Sequence, residues 1–503
     1  MQQICTVGID VGLTMAKAAA FDRSGRELVS FGAPNPRIAV MRDRQEIDMD
    51  SLWETVAGVL RRVTIWLERE GWQVAAVGQT GHGNGLYLVD ERLRPVRPAI
   101  ASTDTRAESL VARLEPAAVE RMRRSTGSVP WAAQPAVLLR WLHDHEEEAV
   151  SRSRWALSCK DWIACCLTGS VSADCSDASA CGLVALRSRE YDPAALETVG
   201  LPSSLLGLFP DLSESNEVVG RVNGAAAAAT GLAIGTPVVA GCMDCVASPI
   251  GAGSVGEGDV TVIVGTWAIN SVVVPVADEP PRVTLNALLP EPGFMLAQEV
   301  APTSVANLEW LSTVLAGAGA AGIDPRRLME AAAAAAPGAG GILFLPFIHG
   351  SPEHLGSSGA LLGLRGDHRY PEIARAVAEG ITQYHRAQLQ RLRNSGATVS
   401  QAPWTLAGGG AKNEFWAQMF ADIAGHAMRR QLQSELGARG AALLAAQGAG
   451  IDTADWNHPG EEDGLLVRPG PDREVYRQQA EAFDRCVGSM RPIWSLFQGE
   501  ERP

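Results

Sequence analysis

Short apolar runs that end at turn residues mark the start of the chain as a β-meander. Within residues 1–31 the runs are ICTVGIDVG, AKAAAFD and RELVSFG, with a turn at 22–25 before the third. A strand, a Gly-Thr turn and a second strand come again at 260–270. Residues 50–70 lie between them and carry one apolar stripe at helical spacing. Meanders interleaved with helices, repeated in one chain, predict an α/β protein with two related domains, 1–252 and 253–503.

The same pattern of apolar runs and turn residues predicts further strands and helices in both halves of the chain. It predicts strands at 74–78, 86–90 and 237–241, followed by a turn at 242–245. It also predicts a helical region over 105–150, a helix C-cap at Thr168-Gly169, a helix over 330–336 and a helix beginning after Asn413.

Composition and charge narrow the class of protein. The 503 residues carry a net charge of 43 − 57 = −14, and nucleic-acid binding needs a basic surface, so we expect no nucleic-acid partner. No apolar stretch reaches the roughly 20 residues that span a bilayer, so we expect no membrane partner. The N-terminus resembles no signal sequence, which favours the cytoplasm. A single CxxC at 242–245, with no second pair, favours buried cysteines over a metal site.

The two Gly-Thr turns are candidates for binding the phosphates of ATP. A glycine lets backbone N–H groups approach an oxyanion, and threonine or lysine adds donors. The candidate residues are Asp10, Gly12, Thr14 and Lys17 in the first turn, and Gly265 and Thr266 in the second. Asp10 is also a candidate ligand of a hydrated Mg²⁺, which prefers carboxylate oxygens. The alternative is a surface hairpin with an incidental Asp-x-Gly turn.

A glycine-rich loop at 78–86 is a candidate for sugar binding. Its spacing is GxGxG and a β-pattern follows it, whereas a dinucleotide fingerprint has GxGxxG before a helix, so we reject that fingerprint and an oxidoreductase is strongly disfavoured. His82 and Asn84 suit hydrogen bonds to a polyhydroxylated ligand, although a merely tight turn is the alternative.

Two aspartates are candidates for the chemistry of an alcohol. Asp244 follows a buried strand, where a side chain reaches a cleft, and is our candidate general base. Asp104 is our candidate sugar ligand. For either residue the alternative is a solvated loop aspartate.

A run of three glycines near residue 410 is a candidate for adenosine binding, because a flat base can lie against backbone that lacks side chains. The residues are Gly408, Gly409, Gly410, Ala411 and Asn413. A flexible strand-to-helix loop is the alternative.

Together these motifs resemble the FGGY carbohydrate kinases of the actin-like ATPase superfamily, from about residue 4 to about 450. Residues 359–379 resemble the C-terminal signature of that family, apart from Ala378 in place of a larger apolar residue. Leu138 stands where the N-terminal signature has lysine, which removes a charge of unassigned role.

The resemblance implies two actin-like (ribonuclease H-like) α/β domains with an interdomain cleft, and ATP with Mg²⁺ as the phosphate donor. It implies that Asp244 is catalytic and that His82, Asn84, Asp104, Asp244 and Trp267 line the sugar site. Members of the family are commonly dimers, so it also implies a homodimer. A catalytically idle sugar sensor of the same fold is the alternative from another class.

The segments 264–269 and 301–310 look like those of the L-xylulose kinases, which points to a ketopentose as substrate. Glycerol is disfavoured, because the Arg-Glu sugar clamp of glycerol kinases falls at Gly83-Asn84. Erythritol kinases have a similar Gly-Thr-Trp turn, so erythritol or another polyol remains an alternative.

Overall fold

The computed structural model describes residues 3–36, 38–41, 43–316, 324–351, 353–354, 356–433, 435–457 and 465–497. Its strands in chain order are β1 (Gln3–Val11), β2 (Met15–Phe21), β3 (Glu27–Pro34), β4 (Ile38–Met41), β5 (Arg44–Ile47), β6 (Trp72–Gly81), β7 (Tyr87–Val89), β8 (Ala99–Ile100), β9 (Trp155–Leu157), β10 (Ala173–Asp174), β11 (Val184–Ala185), β12 (Glu190–Tyr191), β13 (Leu212–Ser213), β14 (Val218–Arg221), β15 (Pro237–Val239), β16 (Cys242–Met243), β17 (Val260–Val264), β18 (Ala268–Pro275), β19 (Leu285–Leu288), β20 (Phe294–Ala301), β21 (Leu343–Leu345), β22 (Ala360–Leu362), β23 (Trp404–Ala407), β24 (Met428–Arg430) and β25 (Leu466–Val467).

The α-helices in chain order are α1 (Met49–Arg69), α2 (Glu108–Val111), α3 (Pro116–Thr126), α4 (Pro135–His145), α5 (Glu147–Arg152), α6 (Cys159–Thr168), α7 (Cys175–Ala180), α8 (Pro193–Glu197), α9 (Gly224–Thr230), α10 (Asp244–Gly251), α11 (Val305–Ala316), α12 (Pro325–Ala334), α13 (Tyr370–Asn394), α14 (Glu414–Ala424), α15 (Leu436–Gly448) and α16 (Arg473–Trp494). In the part of the chain that the structure describes, no helix is both long and apolar enough to cross a membrane.

The chain folds into two compact units, and each unit is built from three separate segments of the sequence. Unit 1 comprises Met1–Val255, Pro275–Leu296 and Glu435–Pro459. Unit 2 comprises Gly256–Val274, Ala297–Ser434 and Gly460–Pro503. Each unit contains a mixed sheet with helices packed on it, which confirms the predicted α/β class.

The sheet of unit 1 has the strand order β14-β15-β6-β1-β2-β3, and β16 also pairs with β6. The predicted meander is confirmed, since β1, β2 and β3 are antiparallel neighbours. β1 runs parallel to β6. Val7, Ile9 and Val11 share one face of β1 and are buried in the core, while Gly8 on the opposite face lies under α15.

Helix α15 packs on this sheet with its backbone close to the strands. A methyl group added at Gly8 would lie 2.6 Å from the carbonyl carbon of Ala438, and one at Gly78 would lie 2.8 Å from that of Ala441. These glycines therefore let α15 approach β1 and β6 closely. The approach fixes the first turn of α15 near the C-terminal end of β1.

The sheet of unit 2 places β20, β18, β17, β23, β24 and β25 side by side in that order. The predicted second hairpin is confirmed, because β17 and β18 pair antiparallel. β17 also runs parallel to β23, the strand that leads into the three glycines. The buried helix α13 packs on α12 and β21.

Most predicted elements agree with the structure, and one turn does not. The helix predicted over 50–70 is α1, and Gly169 caps α6 as expected. The turn predicted at 242–245 is wrong, since Cys242 and Met243 form β16 and α10 begins at Asp244. The cause is pairing with a distant strand, as Cys242 lies opposite Thr80 of β6.

Candidate active site

The turn between β1 and β2 is held in one shape by hydrogen bonds. The Gly12 N–H donates to the Met15 carbonyl at 3.0 Å. The side chain of Asn35 donates to the Gly12 carbonyl at 2.7 Å, and its backbone N–H donates to the Thr14 carbonyl at 2.8 Å. Thr14 is exposed, so its hydroxyl is available to a ligand. Sequence reasoning missed Asn35, which has no motif of its own.

Asp10 is the last-but-one residue of β1 and is partly exposed beside two charged groups. Its neighbour across the sheet is Lys17, which forms an ion pair with Glu435 at 3.1 Å. Burial raises the pKa of Asp10 to about 6, while Lys17 lowers it and Glu435 raises it. A cation at Asp10 would relieve this unfavourable burial of a charge.

Asp244 is the first residue of α10 and is partly exposed. Burial raises its pKa to about 8, and the negative charges of Asp10 and Asp177 add to the increase. A carboxyl group in such surroundings has a high proton affinity, which suits a general base near neutral pH.

The topology of unit 1 brings Asp10 and Asp244 to one edge of the sheet. Asp10 lies opposite Thr80 on one side of β6, and Cys242 lies opposite Thr80 on the other. The strands are parallel and neighbouring strands lie about 4.8 Å apart, so Asp10 and the strand that leads to Asp244 are only two spacings apart. Residues 10 and 244 therefore lie at the same edge of the sheet.

The predicted sugar loop follows β6 at the same edge. The His82 N–H donates to the Val11 carbonyl at 2.9 Å, and its Nε2 lies 3.0 Å from the Tyr87 hydroxyl. Asn84 has a left-handed backbone with φ of 59° and is 5% exposed. Its side-chain oxygen accepts no hydrogen bond from any described residue. The contact of both side chains with sugar stays a prediction.

Asp104 lies in a buried ion pair. Both of its oxygens accept hydrogen bonds from Arg106 at 2.8 Å, and one accepts another from the Gln45 N–H at 2.8 Å. The residue is only 1% exposed. Its predicted role as a sugar ligand stays a prediction, and in this state a sugar would have to share its oxygens with Arg106.

The second phosphate turn lies in unit 2, between β17 and β18. The carbonyl of Gly265 accepts a hydrogen bond from the Val305 N–H at 2.9 Å, which ties the turn to the start of α11. Thr266 and Trp267 are exposed, and Trp267 keeps 40% of its surface. Both side chains are thus available to a ligand.

The three glycines also lie in unit 2, after β23. A methyl group at Gly410 would lie 2.9 Å from Cβ of Val264, whereas one at Gly409 would meet nothing within 4 Å. Asn413 caps α14 as predicted, accepting from the Trp416 N–H at 3.0 Å. Arg430, which sequence reasoning missed, donates to the Ala411 carbonyl at 2.9 Å and steadies the loop.

Sequence reasoning also missed a buried charged cluster in unit 1, Lys160 with Asp161, Asp174 and Asp177. The Lys160 ammonium lies 2.5 Å, 2.7 Å and 3.9 Å from these three carboxylates. Burial alone would lower the pKa of Lys160, but the carboxylates raise it well above its ordinary value. The available signal was a Lys-Asp pair inside the otherwise apolar helix α6.

Comparisons with known proteins agree on one family. The model of the FGGY carbohydrate kinase N-terminal domain matches residues 5–251, and that of the C-terminal domain matches residues 260–449. The chain belongs to the FGGY family of carbohydrate kinases. It is therefore a sugar kinase, a phosphotransferase of a family that uses ATP as phosphate donor.

Individual relatives of this FGGY kinase carry different substrate names. An L-xylulose/3-keto-L-gulonate kinase of Escherichia coli K12 is 31% identical, over 96% of this chain and 97% of its own. An erythritol kinase of Brucella abortus is 29% identical, over 97% and 96%. A xylulose kinase structure from Rhodospirillum rubrum is 25% identical with a TM-score of 0.86, over 98% of this chain and all of its own.

The donor set around Asp10 fits a magnesium ion that keeps most of its water. Asp10 offers a partly exposed carboxylate close to Glu435, and Mg²⁺ prefers such oxygens. Among the described residues no cluster of three or more His, Cys, Asp or Glu side chains could enclose a metal. Water and substrate phosphates would have to supply the other ligands, as is usual for Mg²⁺ at nucleotide sites.

Proposed function

We propose that this FGGY kinase transfers the γ-phosphate of ATP to a primary hydroxyl of a ketopentose such as L-xylulose. The observation that carries the proposal is that β1, which contains Asp10, and β16, which ends before Asp244, both pair with β6, and that both aspartates are partly exposed. Asp10 lies two residues before the candidate phosphate-turn glycine Gly12, and Asp244 begins α10. A phosphate and an alcohol can meet at such an edge.

Asp244 is the general base in this proposal. Its carboxylate accepts the proton of the hydroxyl, and the hydroxyl oxygen forms a bond to the γ-phosphorus while the bond to the ADP oxygen breaks. The raised pKa of Asp244, caused by burial, supports the role, because the carboxylate holds a proton more firmly than an exposed aspartate does.

Two turns and one glycine loop bind ATP in this proposal. Gly12, Thr14 and Lys17 bind phosphate oxygens, as do Gly265 and Thr266. The adenosine lies against the glycines, with the contacts made by Gly408, Gly409, Gly410, Ala411 and Asn413. Asp10 holds Mg²⁺ through water, and the ion neutralises charge that develops on the phosphates. The exposure of Thr14 and Thr266 and the open space at Gly409 support these roles.

The sugar is bound by His82, Asn84, Asp104, Asp244 and Trp267 in this proposal. The side-chain oxygen of Asn84 has no donor among the described residues, which supports the proposal, because a buried acceptor without a donor is costly unless a ligand supplies one. The name of the Escherichia coli relative favours L-xylulose. The name of the Brucella relative keeps erythritol as a second candidate.

The organisation of the chain completes the proposal. Residues 1–252 form the half that carries the sugar site and the first phosphate turn. Residues 253–503 carry the second turn and the adenosine loop. We further propose that the enzyme works in the cytoplasm as a homodimer.

ADP release with Mg·ATP tests the substrate, with L-xylulose, D-xylulose, L-ribulose, erythritol and glycerol compared at equal concentration. A preference for L-xylulose in kcat/KM supports the proposal. A preference for erythritol would make erythritol the substrate in place of L-xylulose and would leave the proposed phosphoryl transfer unchanged. No turnover on any of the five, with ATP still bound, contradicts the proposed acceptor.

A further inference from the structure

Lys160 is a charged side chain with no access to solvent. Its side chain is 0% exposed, and the ammonium lies between the carboxylates of Asp161, Asp174 and Asp177. Burying an ammonium is expensive unless it is paired, so the pairing is what allows Lys160 to stay there. The reverse also holds, because three buried carboxylates would repel one another without Lys160.

One of these carboxylates connects Lys160 to the turn before Asp244. Asp174 lies 2.7 Å from the Lys160 ammonium and accepts a hydrogen bond from the Ser215 hydroxyl at 2.8 Å. The carbonyl of Ser215 accepts in turn from the Gly241 N–H at 2.8 Å. Gly241 begins the short segment that ends at Asp244.

Side chains of β6 hold the two residues before this segment and Cys242 within it. Gln79 donates to the carbonyls of Val239 and Ala240 at 2.7 Å and 2.9 Å. The Thr80 hydroxyl donates to the Cys242 carbonyl at 2.6 Å. On the side away from β6, the Ser215 carbonyl holds Gly241, and the Glu217 carbonyl accepts from the Ala240 N–H at 2.9 Å.

A second carboxylate of the cluster lies on the helix beside the base. Asp177 belongs to α7, which packs on β16, the strand that ends immediately before Asp244. Its Oδ2 lies 3.9 Å from the Lys160 ammonium. Lys160 thus holds Asp177, on the helix that packs on β16, and Asp174, which contacts the segment through Ser215.

We propose that Lys160 is a positioning residue for Asp244, which it holds in place through Asp174, Ser215 and the backbone of Gly241. The inference rests on the proposed function, since it takes Asp244 as the base. Without the charge of Lys160, the three carboxylates repel one another and move apart. Asp174 then no longer holds the Ser215 hydroxyl in place, and the segment 241–244 can shift. A displacement of about 1 Å in a reacting group can cost about 10²-fold in rate.

The variant Lys160→Met keeps the length of the side chain and removes its charge. We expect kcat with sugar to fall by about 10²-fold while the Kd for ATP stays within about twofold. The matched control is Arg375→Met, which removes a cation that is also buried, pairs with Glu379 at 2.8 Å and lies in unit 2. An equal fall of kcat in both variants would show a merely structural role and overturn the proposal.

A second variant covers the case in which Lys160→Met does not fold. Ser215→Ala removes the hydroxyl that joins Asp174 to the segment and leaves the Ser215 carbonyl in place. We expect a smaller fall in kcat, of about tenfold, with the melting temperature close to that of the parent protein. An unchanged kcat in this variant contradicts the proposed route through Ser215.

A double-mutant cycle separates this inference from the function on which it rests. If Lys160 acts through Asp244, Lys160→Met and Ser215→Ala lower the residual rate of the Asp244→Asn protein by less than twofold. A full additional fall in that background overturns the inference. Wild-type turnover by Asp244→Asn alone overturns the proposed function instead, so the two failures can be told apart.

Discussion

The carboxylate of Asp10 lies against the α-carbon of Gly437, in the first turn of α15. A methyl group added at Gly437 would lie 2.8 Å from Cγ of Asp10 and closer still to its Oδ2. The N-terminal turn of a helix carries partial positive charge, so this contact favours the ionised carboxylate. The absence of a side chain at Gly437 therefore leaves the space that the Asp10 carboxylate occupies, although the two residues are more than 400 positions apart in the sequence.

Gly437→Ala is expected to damage catalysis without damaging the fold. The methyl group displaces the Asp10 carboxylate, which we propose holds Mg²⁺, so kcat/KM for Mg·ATP should fall by about 10 to 10²-fold. Alanine is preferred to glycine within a helix by about 0.5–1 kcal/mol, so the melting temperature should not fall. Steady-state kinetics and thermal unfolding measure the two effects.

The matched control is Gly58→Ala on α1, where an added methyl group meets nothing within 4 Å. It should leave kcat/KM unchanged and stabilise the protein slightly. Equal kinetics for the two variants would mean that Asp10 moves without consequence, and its proposed role would fail.

Asp244→Asn is expected to lose most sugar phosphorylation and to keep ATP binding. The amide cannot accept the proton, and general-base catalysis is typically worth about 10²–10⁴ in rate. Glu54→Gln, an exposed carboxylate on α1, serves as the control. Calorimetric titration with ATP and rapid-quench turnover give the two quantities. Turnover within threefold of the parent protein would exclude Asp244 as the base.

The local elements of the fold could be predicted from the sequence, because their signals lie within a few residues. The apolar stripe at 50–70 predicted α1, and the capping residue Asn413 predicted the start of α14. The two Gly-Thr turns were found because each is flanked by apolar strands. Such signals depend on neighbours in the chain, which the sequence displays directly.

The parts that the sequence did not predict depend on distant contacts. The strand at Cys242 exists because β6 pairs with it, and nothing within 242–245 distinguishes it from a turn. The hydrogen bonds from Arg106 to Asp104 and the ion pairs of Lys160 join side chains only after folding. A charged residue in an apolar helix signals that a partner exists, but it does not say which one.

The pH dependence of the reaction should follow the proton of Asp244. Its pKa is raised to about 8 by burial and by the charges of Asp10 and Asp177, and only the ionised form is a base. The rate therefore falls as pH decreases, by about tenfold per unit below about pH 8, and levels above it. Protonation of Asp10, whose pKa is raised to about 6 by burial, should lower the rate further as the pH decreases below about 6.

The profile of kcat/KM for sugar, which reports the free enzyme, measures this dependence. The residual activity of Asp244→Asn should lack the step near pH 8. A profile that is flat between about pH 6 and pH 8 would contradict the assignment of the base.

Gly409→Ala tests adenosine binding, because we expect this substitution to leave the stability of the protein unchanged. Among the described residues the added methyl group meets no atom within 4 Å apart from its own chain neighbours, so the fold should be unaffected. If adenosine lies against this backbone, the same methyl group occupies its space, and the KM for ATP should rise by about tenfold with kcat for sugar little changed. Gly366→Ala, another open position in unit 2, should leave KM and kcat unchanged. An unaltered KM in Gly409→Ala would place the adenosine elsewhere, because an alanine there has nothing else to touch.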